Sequence, residues 1–333
     1  MKYLKILKST ILAILGIALA QVGFAQPKQR NLEATERPVV PTNLGQPGNE
    51  AATAEGEVAG AAASDAGAQR PVKLKKKGIS TFFGYNSKYF YRSNALMTSG
   101  PTEQKSAMWT NTFFAGAGLG VIETDSTVIT PYIGGSWTIN DYVKGELSPF
   151  NYNSSGAYAL LLAQYGNGWS TRAGVSYASD RSTERDEEDY KEFFPSIGLM
   201  KAYSLSDATL GVFDASVGKH ITDSLGLGTD PTSILDNWEM SASYGLRWRP
   251  SERLSFAPQY RLSYKVYEDG SNKDRDDLTN MVSLRIAYEL ASSVTLDLSG
   301  AYTTRSTDGI ASGLDLDFDN LDTGLGLTLN ARF

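Results

Sequence analysis

The sequence predicts an all-β fold: a transmembrane, antiparallel, up-and-down β-barrel of twelve strands, preceded by a signal peptide and a disordered linker. Three observations carry this prediction. First, the last thirteen residues alternate. Leu321, Leu325, Leu327, Leu329, Ala331 and Phe333 fall on one face, with Thr323 among them; Asp322, Gly324, Gly326, Thr328, Asn330 and Arg332 fall on the other. Period-two alternation marks a strand with one oily and one wet face. Second, short and long connections alternate along residues 78–333. Third, the tryptophans sit near strand ends in two groups, as a bilayer's two interfaces select.

Residues 1–25 have the form of a secretory signal. Lys2, Lys5 and Lys8 precede the uncharged run Ile11 to Ala20, and Gly23-Phe24-Ala25 places small residues at a cleavage site after Ala25. Ten helical residues rise only about 15 Å, too little to span a bilayer. The chain carries 31 basic and 37 acidic residues, a formal charge of −6; without the three lysines the balance is 28 against 37, or −9. Such a chain has no general attraction for nucleic acid. Cysteine is absent, so thiol and disulfide chemistry are absent too.

Residues 26–77 form a segment rich in Ala, Gly, Pro and Glu, with no aromatic residue between Phe24 and Phe82. It cannot bury enough apolar surface to offset its ordering entropy, so it reads as a disordered periplasmic linker. Lys73, Lys75, Lys76 and Lys77 close it. They form either a solvated boundary or a contact for an anionic envelope component.

From residue 78 onward the predicted strands are 79–92, 108–121, 127–138, 156–165, 169–180, 190–203, 207–219, 237–249, 253–266, 277–290, 293–305 and 320–333. An even count lets a closed single-chain barrel keep both ends on one side. The connections near 122–126, 166–168, 204–206, 250–252 and 291–292 are tight. The others are polar and predicted at nine to seventeen residues, which fits short periplasmic turns and longer external loops. Within 253–266, Leu254, Phe256, Tyr260, Leu262 and Tyr264 oppose Ser255, Gln259, Arg261, Ser263 and Lys265. Strands 237–249 and 293–305 alternate as cleanly; 156–165, 190–203 and 207–219 do not, so their facing stays open. Trp109, Trp137 and Trp238 border long loops, and Trp169 and Trp248 border short turns.

Parity turns Arg172, Arg247, Arg261, Lys265, Arg285, Arg305 and Arg332 inward, with Asp297, Glu239, Glu289 and Asp322 beside them. An Arg-rich lumen would favour anions in transit; alternatively, the charges pair and fill the interior. No catalytic, cofactor or metal site emerges. His220, the sole histidine, is expected as a solvent-exposed rim residue. A hydrolytic site would need a hydroxyl nucleophile and a third, orienting group within reach of it. Asp315 to Asp319 suggests calcium, but Asn320 and Gly326 stand where a helix–loop–helix site needs Gly and Glu. The apolar parity slips between Phe318 and Leu321, which predicts a bulge or a strand start.

The terminal Phe333, with Leu327 and Leu329 on its face, resembles the assembly signal of Gram-negative outer-membrane β-barrels. The resemblance implies barrel-assembly machinery and outer-membrane lipid as partners. Within residues 84–93, Tyr85, Ser87, Tyr89 and Arg92 are similar to the opening strand of TorF-type putative porins, with Ser93 where that family usually has Gly. That resemblance implies a passive pore for small solutes and brings no catalytic residues. The functional expectation is therefore a porin-like channel, with anion preference as its finer form. The alternative is a non-conducting barrel with a structural or adhesive role, and the remote one an outer-membrane phospholipase-type hydrolase.

Overall fold

The computed structural model describes residues 79–99, 103–124, 126–224, 231–309 and 316–333. The predicted signal peptide and linker lie outside these residues. Thirteen strands follow one another: β1 (Ser80–Arg92), β2 (Ser106–Gly118), β3 (Ile122–Glu123), β4 (Thr127–Tyr142), β5 (Tyr152–Tyr165), β6 (Trp169–Ser182), β7 (Glu188–Ser206), β8 (Thr209–Ser224), β9 (Asn237–Trp248), β10 (Leu254–Tyr267), β11 (Asp276–Ala291), β12 (Val294–Asp308) and β13 (Phe318–Arg332). Each long strand pairs antiparallel with its neighbours in sequence. β1 pairs with β13, and β2 pairs with β4 past the two-residue β3. Twelve long strands thus close into a barrel without an open edge, the one sheet arrangement that satisfies its own backbone in lipid.

Alternation sets the two faces. Along β12 and β13, Leu298, Tyr302, Leu321, Leu325, Leu327 and Leu329 are exposed. Their opposite-parity neighbours Asp297, Arg305, Phe318 and Asn320 are buried. Exposed Phe83, Tyr89, Ile133, Trp137, Ile197, Val217, Met240, Tyr260, Val282 and Leu284 continue the outer apolar surface round the barrel. Trp109, Trp238 and Trp248 are exposed on that surface, as are Tyr91, Tyr177 and Tyr302.

The three strands whose facing the sequence left open are settled by burial. On β5, Leu161 and Tyr165 are exposed while Leu160 and Leu162 are buried. On β7, Phe193, Ile197 and Leu199 face out while Tyr190 and Glu192 are buried; on β8, Val217 and Ile221 face out while His220 and Thr222 are buried. The alternation blurred because bulky apolar side chains occupy both faces of β5 and β7, so hydrophobicity alone carries no period there.

Several boundaries differ from prediction: β4 runs on to Tyr142 and β8 to Ser224, and β5 begins already at Tyr152. The strand expected to reach 121 ends at Gly118, because Gly120 takes φ 102° and turns the chain into β3. β7 begins at Glu188, two residues before the predicted start, and runs to Ser206. The contrast in connection length is therefore weaker than expected: residues 119–126 join two strands at one end, while only 183–187 lie between β6 and β7 at the other. The parity slip at Phe318 is a strand start. Register runs unbroken from Arg305↔Phe318 to Val294↔Leu329, and Phe318 turns inward beneath Arg305.

The barrel interior as candidate functional site

The barrel's inner face divides along its axis. Near the ends joined by short turns, charged side chains pair across the wall. Arg172 of β6 donates from Nη1 to Asp214 Oδ2 at 2.6 Å and from Nη2 to Asp214 Oδ1 at 2.7 Å, with β7 between them. Arg285 Nε donates to Asp297 Oδ1 at 2.7 Å; from mid-strand, Arg261 Nη2 donates at 2.8 Å to Oε1 of Glu239, which lies near the long-loop end of β9. Asp297 Oδ2 accepts from Thr328 Oγ1 at 3.1 Å, and Thr328 Oγ1 in turn accepts from Asn86 Nδ2 at 2.7 Å. A polar chain thus crosses from β11 to β1.

Toward the long loops the interior is packed. His220 is fully buried, its Nδ1 2.9 Å from Glu192 Oε2 and its Nε2 3.0 Å from Glu239 Oε2. The Tyr190 hydroxyl donates to Glu192, and Ser263 donates to Glu239 at 2.9 Å. Lys265 Nζ lies 3.9 Å from Glu239, against which its backbone is registered. The Phe194 ring covers the imidazole at a centroid distance of 4.1 Å. Nearby, Arg275 Nε donates to Asp277 Oδ1 at 2.8 Å, and Arg305 Nη1 is 3.9 Å from Asp277 Oδ2. On the other side of this mouth, Phe90, Ala95, Leu96, Met108, Tyr142, Leu147, Phe150 and Tyr152 form an apolar cluster. Residues 93–98 and a short 3-10 turn, Gly145–Phe150, supply part of it.

Of the inward-predicted residues, Arg172, Arg261, Lys265, Arg285 and Arg305 each meet a carboxylate, and Asp297 serves Arg285. Arg247 sits on β9 at inward parity, near Arg285. The side chain of Arg332 lies outside those described. Leu327, Leu329 and Phe333 are exposed on the outer face. Phe333 stacks on Phe83 of β1 at 5.7 Å, and its backbone N–H and C=O both bond to Thr81, at 2.9 and 3.0 Å.

The expected solvent-exposed rim histidine is corrected: His220 turns inward and is buried, because even positions of β8 face the interior. Both ring nitrogens face carboxylates rather than a Ser or Thr hydroxyl. A nucleophile–base pair is therefore not assembled there. Of the Asp315–Asp319 run, Asp315 lies outside the described residues. Asp317 Oδ1 accepts from the Thr307 backbone N–H, and Asp319 Oδ2 from the Tyr302 hydroxyl. Among the described residues no cluster of three or more His, Cys, Asp or Glu is arranged to hold a metal. Sequence reasoning missed Asp214, Glu192 and Phe194, all on β7 and β8, two of the three strands whose facing it left open.

No protein-family model matches the chain, and no curated protein matches it either. Solved structures do. The COG4313 outer membrane channel from Pseudomonas putida F1 superposes with a TM-score of 0.52 at 8% identity, covering 80% of this chain and 100% of that one. The NanC porin gives a TM-score of 0.41 at 12% identity, covering 74% and 98%. The KdgM porin in complex with disordered oligogalacturonate gives 0.38 at 8%, covering 74% and 98%. The first of these likenesses identifies the fold that this chain shares with that channel: a closed, antiparallel β-barrel.

Proposed function

We propose that the protein is a porin-like channel of the outer membrane, through which small solutes diffuse passively. The observation that carries this reading is the reversal of ordinary globular order: apolar side chains cover the outside while ion pairs and hydroxyl chains line the inside. Such an interior is stable only where water reaches it or every group is paired. The similarity of residues 84–93 to TorF-type porins points the same way. The finer reading is anion preference. Arg285 is half exposed, 50% against 12% for its partner Asp297, so the cation of the pair is the more accessible on the inner face. The same order holds for Arg261 and Glu239, 26% against 9%.

The test is single-channel recording of the purified mature chain in planar bilayers. Stepwise conductance supports the channel; its absence removes it. Arg261→Glu with Arg285→Glu should shift the reversal potential toward cation preference, and an unchanged potential removes the anion reading. The second reading, a non-conducting barrel, is favoured by one observation: the buried His220 network and the apolar cluster packed at the long-loop mouth. Among the described residues, no assembled site supports the hydrolase reading.

A further inference from the structure

We infer that the solutes this interior selects are small organic anions with an apolar body, such as aromatic or short aliphatic carboxylates. The inference rests on the channel reading above and specifies its solute class. It comes from two facing walls.

One wall is made of rings laid over glycines. Phe82 of β1 is registered opposite Gly116 of β2, and Phe114 of β2 opposite Gly84 of β1. A Cβ on either glycine would collide with the facing ring, so the rings lie across the strands rather than standing off them. Tyr158 of β5 does the same over Gly134 of β4, where an added Cβ would come 2.5 Å from its Cζ. Behind it lie Leu160 and Leu162. Phe82, Phe114 and Tyr158, backed by Leu160 and Leu162, therefore make an apolar patch on the inner face of these strands, on the short-turn side of Asn86, Thr112 and Thr138, whose polar groups bond to Thr328 and to one another.

The other wall carries Arg261 and Arg285, with the guanidinium of each more exposed than its carboxylate partner. In the order of the closed sheet, β10 stands six strands from β4 whichever way the barrel is followed, and β11 six from β5. The two walls are diametrically opposed. Tyr158 shares a level with the two arginines, seven residues from the short-turn end of β5 (158 to 165) against seven for Arg261 on β10 (254 to 261) and six for Arg285 on β11 (285 to 291), while Phe114 lies lower, four residues from that of β2 (114 to 118).

A carboxylate accepts two parallel N–H donors from a guanidinium, and a phosphate or sulfonate does so with similar geometry. The ring faces are negative and repel that anionic end, while an apolar body placed against them leaves water. Only a solute with both parts satisfies both walls at once. A neutral sugar lacks the anionic end, and a fully hydroxylated acid lacks the apolar body.

The experiment measures bi-ionic reversal potentials with the full mature chain in planar bilayers, after stepwise conductance in KCl has established the channel. Benzoate and gluconate are compared at equal concentration against chloride. Benzoate permeability at least fivefold above gluconate is expected, and Tyr158→Ser with Phe114→Ser should bring the ratio down threefold or more. Phe114→Leu, which keeps the wall apolar, should retain the preference, and separates lost chemistry from lost packing. Equal permeabilities in a conducting wild-type barrel overturn the inference while leaving the channel standing. A ratio unmoved by the double serine variant, with the folded state verified by heat-modifiable migration, overturns the assignment to this wall. Absence of any KCl conductance refutes the channel reading itself and the inference with it.

Discussion

Arg172 and Asp214 grip each other across an intervening strand, and Gly198 of β7 is what allows it. A Cβ at residue 198 would sit 2.9 Å from Arg172 Nε and 3.1 Å from the Ala215 carbonyl oxygen. The side chain of Arg172 thus runs over a strand that offers no side chain there. Bidentate geometry makes this among the stronger kinds of ion pair, although both partners keep about a fifth of their surface exposed.

Gly198→Val should therefore destabilise the barrel twice over, by crowding and by breaking the pair, at about 1–3 kcal/mol. Urea unfolding of the detergent-refolded protein, followed by tryptophan fluorescence, measures it. In an Arg172→Leu background the same substitution should cost clearly less, because the pair is already gone; an undiminished cost would mean that Gly198 serves some other contact.

How legible this was depended on the face. For β9, β10 and β12 the alternation separated Trp238, Met240, Tyr244, Tyr260, Leu262 and Leu298 from Glu239, Arg261 and Asp297, and the sequence alone placed them. β5 and β7 hid their order because Leu160, Leu162 and Phe194 face inward beside outward Leu161, Phe193 and Ile197. No hydrophobic period survives that pattern. Asp214, His220 and Glu192 sit on β8 and β7, so although Glu239 of β9 was read as inward, the network it joins could not be read from spacing, and the histidine looked like a rim residue.

Phe333 stacks on Phe83 and is otherwise 75% free of protein neighbours, so its packing within the protein contributes little. Phe333→Ala should lower the stability of the refolded barrel only modestly, by about 1 kcal/mol, chiefly through lost contact with lipid or detergent. If Leu327, Leu329 and Phe333 form an assembly signal, the same variant should sharply reduce the amount of heat-modifiable barrel in the outer membrane of expressing cells. Equal effects on both readouts would assign the ring a packing role only.

His220→Leu removes both bonds to Glu192 and Glu239 and leaves two buried carboxylates with fewer partners. Removing one member of a buried ionic set typically costs about 3–5 kcal/mol, and Arg261 and Lys265 should reduce the loss here. The variant should also show larger or more frequently fluctuating conductance steps, since the network packs the long-loop mouth. Unaltered conductance with lowered stability would make His220 purely structural.

Leu298 and Ser299 are adjacent on β12 and face opposite sides, with Leu298 52% exposed on the outer surface. An arginine on the lipid side near mid-bilayer costs about 2–4 kcal/mol, whereas an inward one meets polar neighbours. Leu298→Arg should thus destabilise the barrel in lipid by that amount, and Ser299→Arg by much less. Folding titrations in phosphatidylcholine vesicles separate them.

The most direct test of the whole arrangement exploits the absence of cysteine from the chain. Single cysteines placed in turn at positions 281 to 286 of β11, with the protein in lipid vesicles, are reacted with a charged, water-soluble thiol reagent. Rapid labelling is predicted at Met281, Ser283 and Arg285, which face the interior, and slow labelling at Val282, Leu284 and Ile286, which face lipid. Uniform labelling, or the opposite alternation, would contradict a barrel that turns its polar face inward.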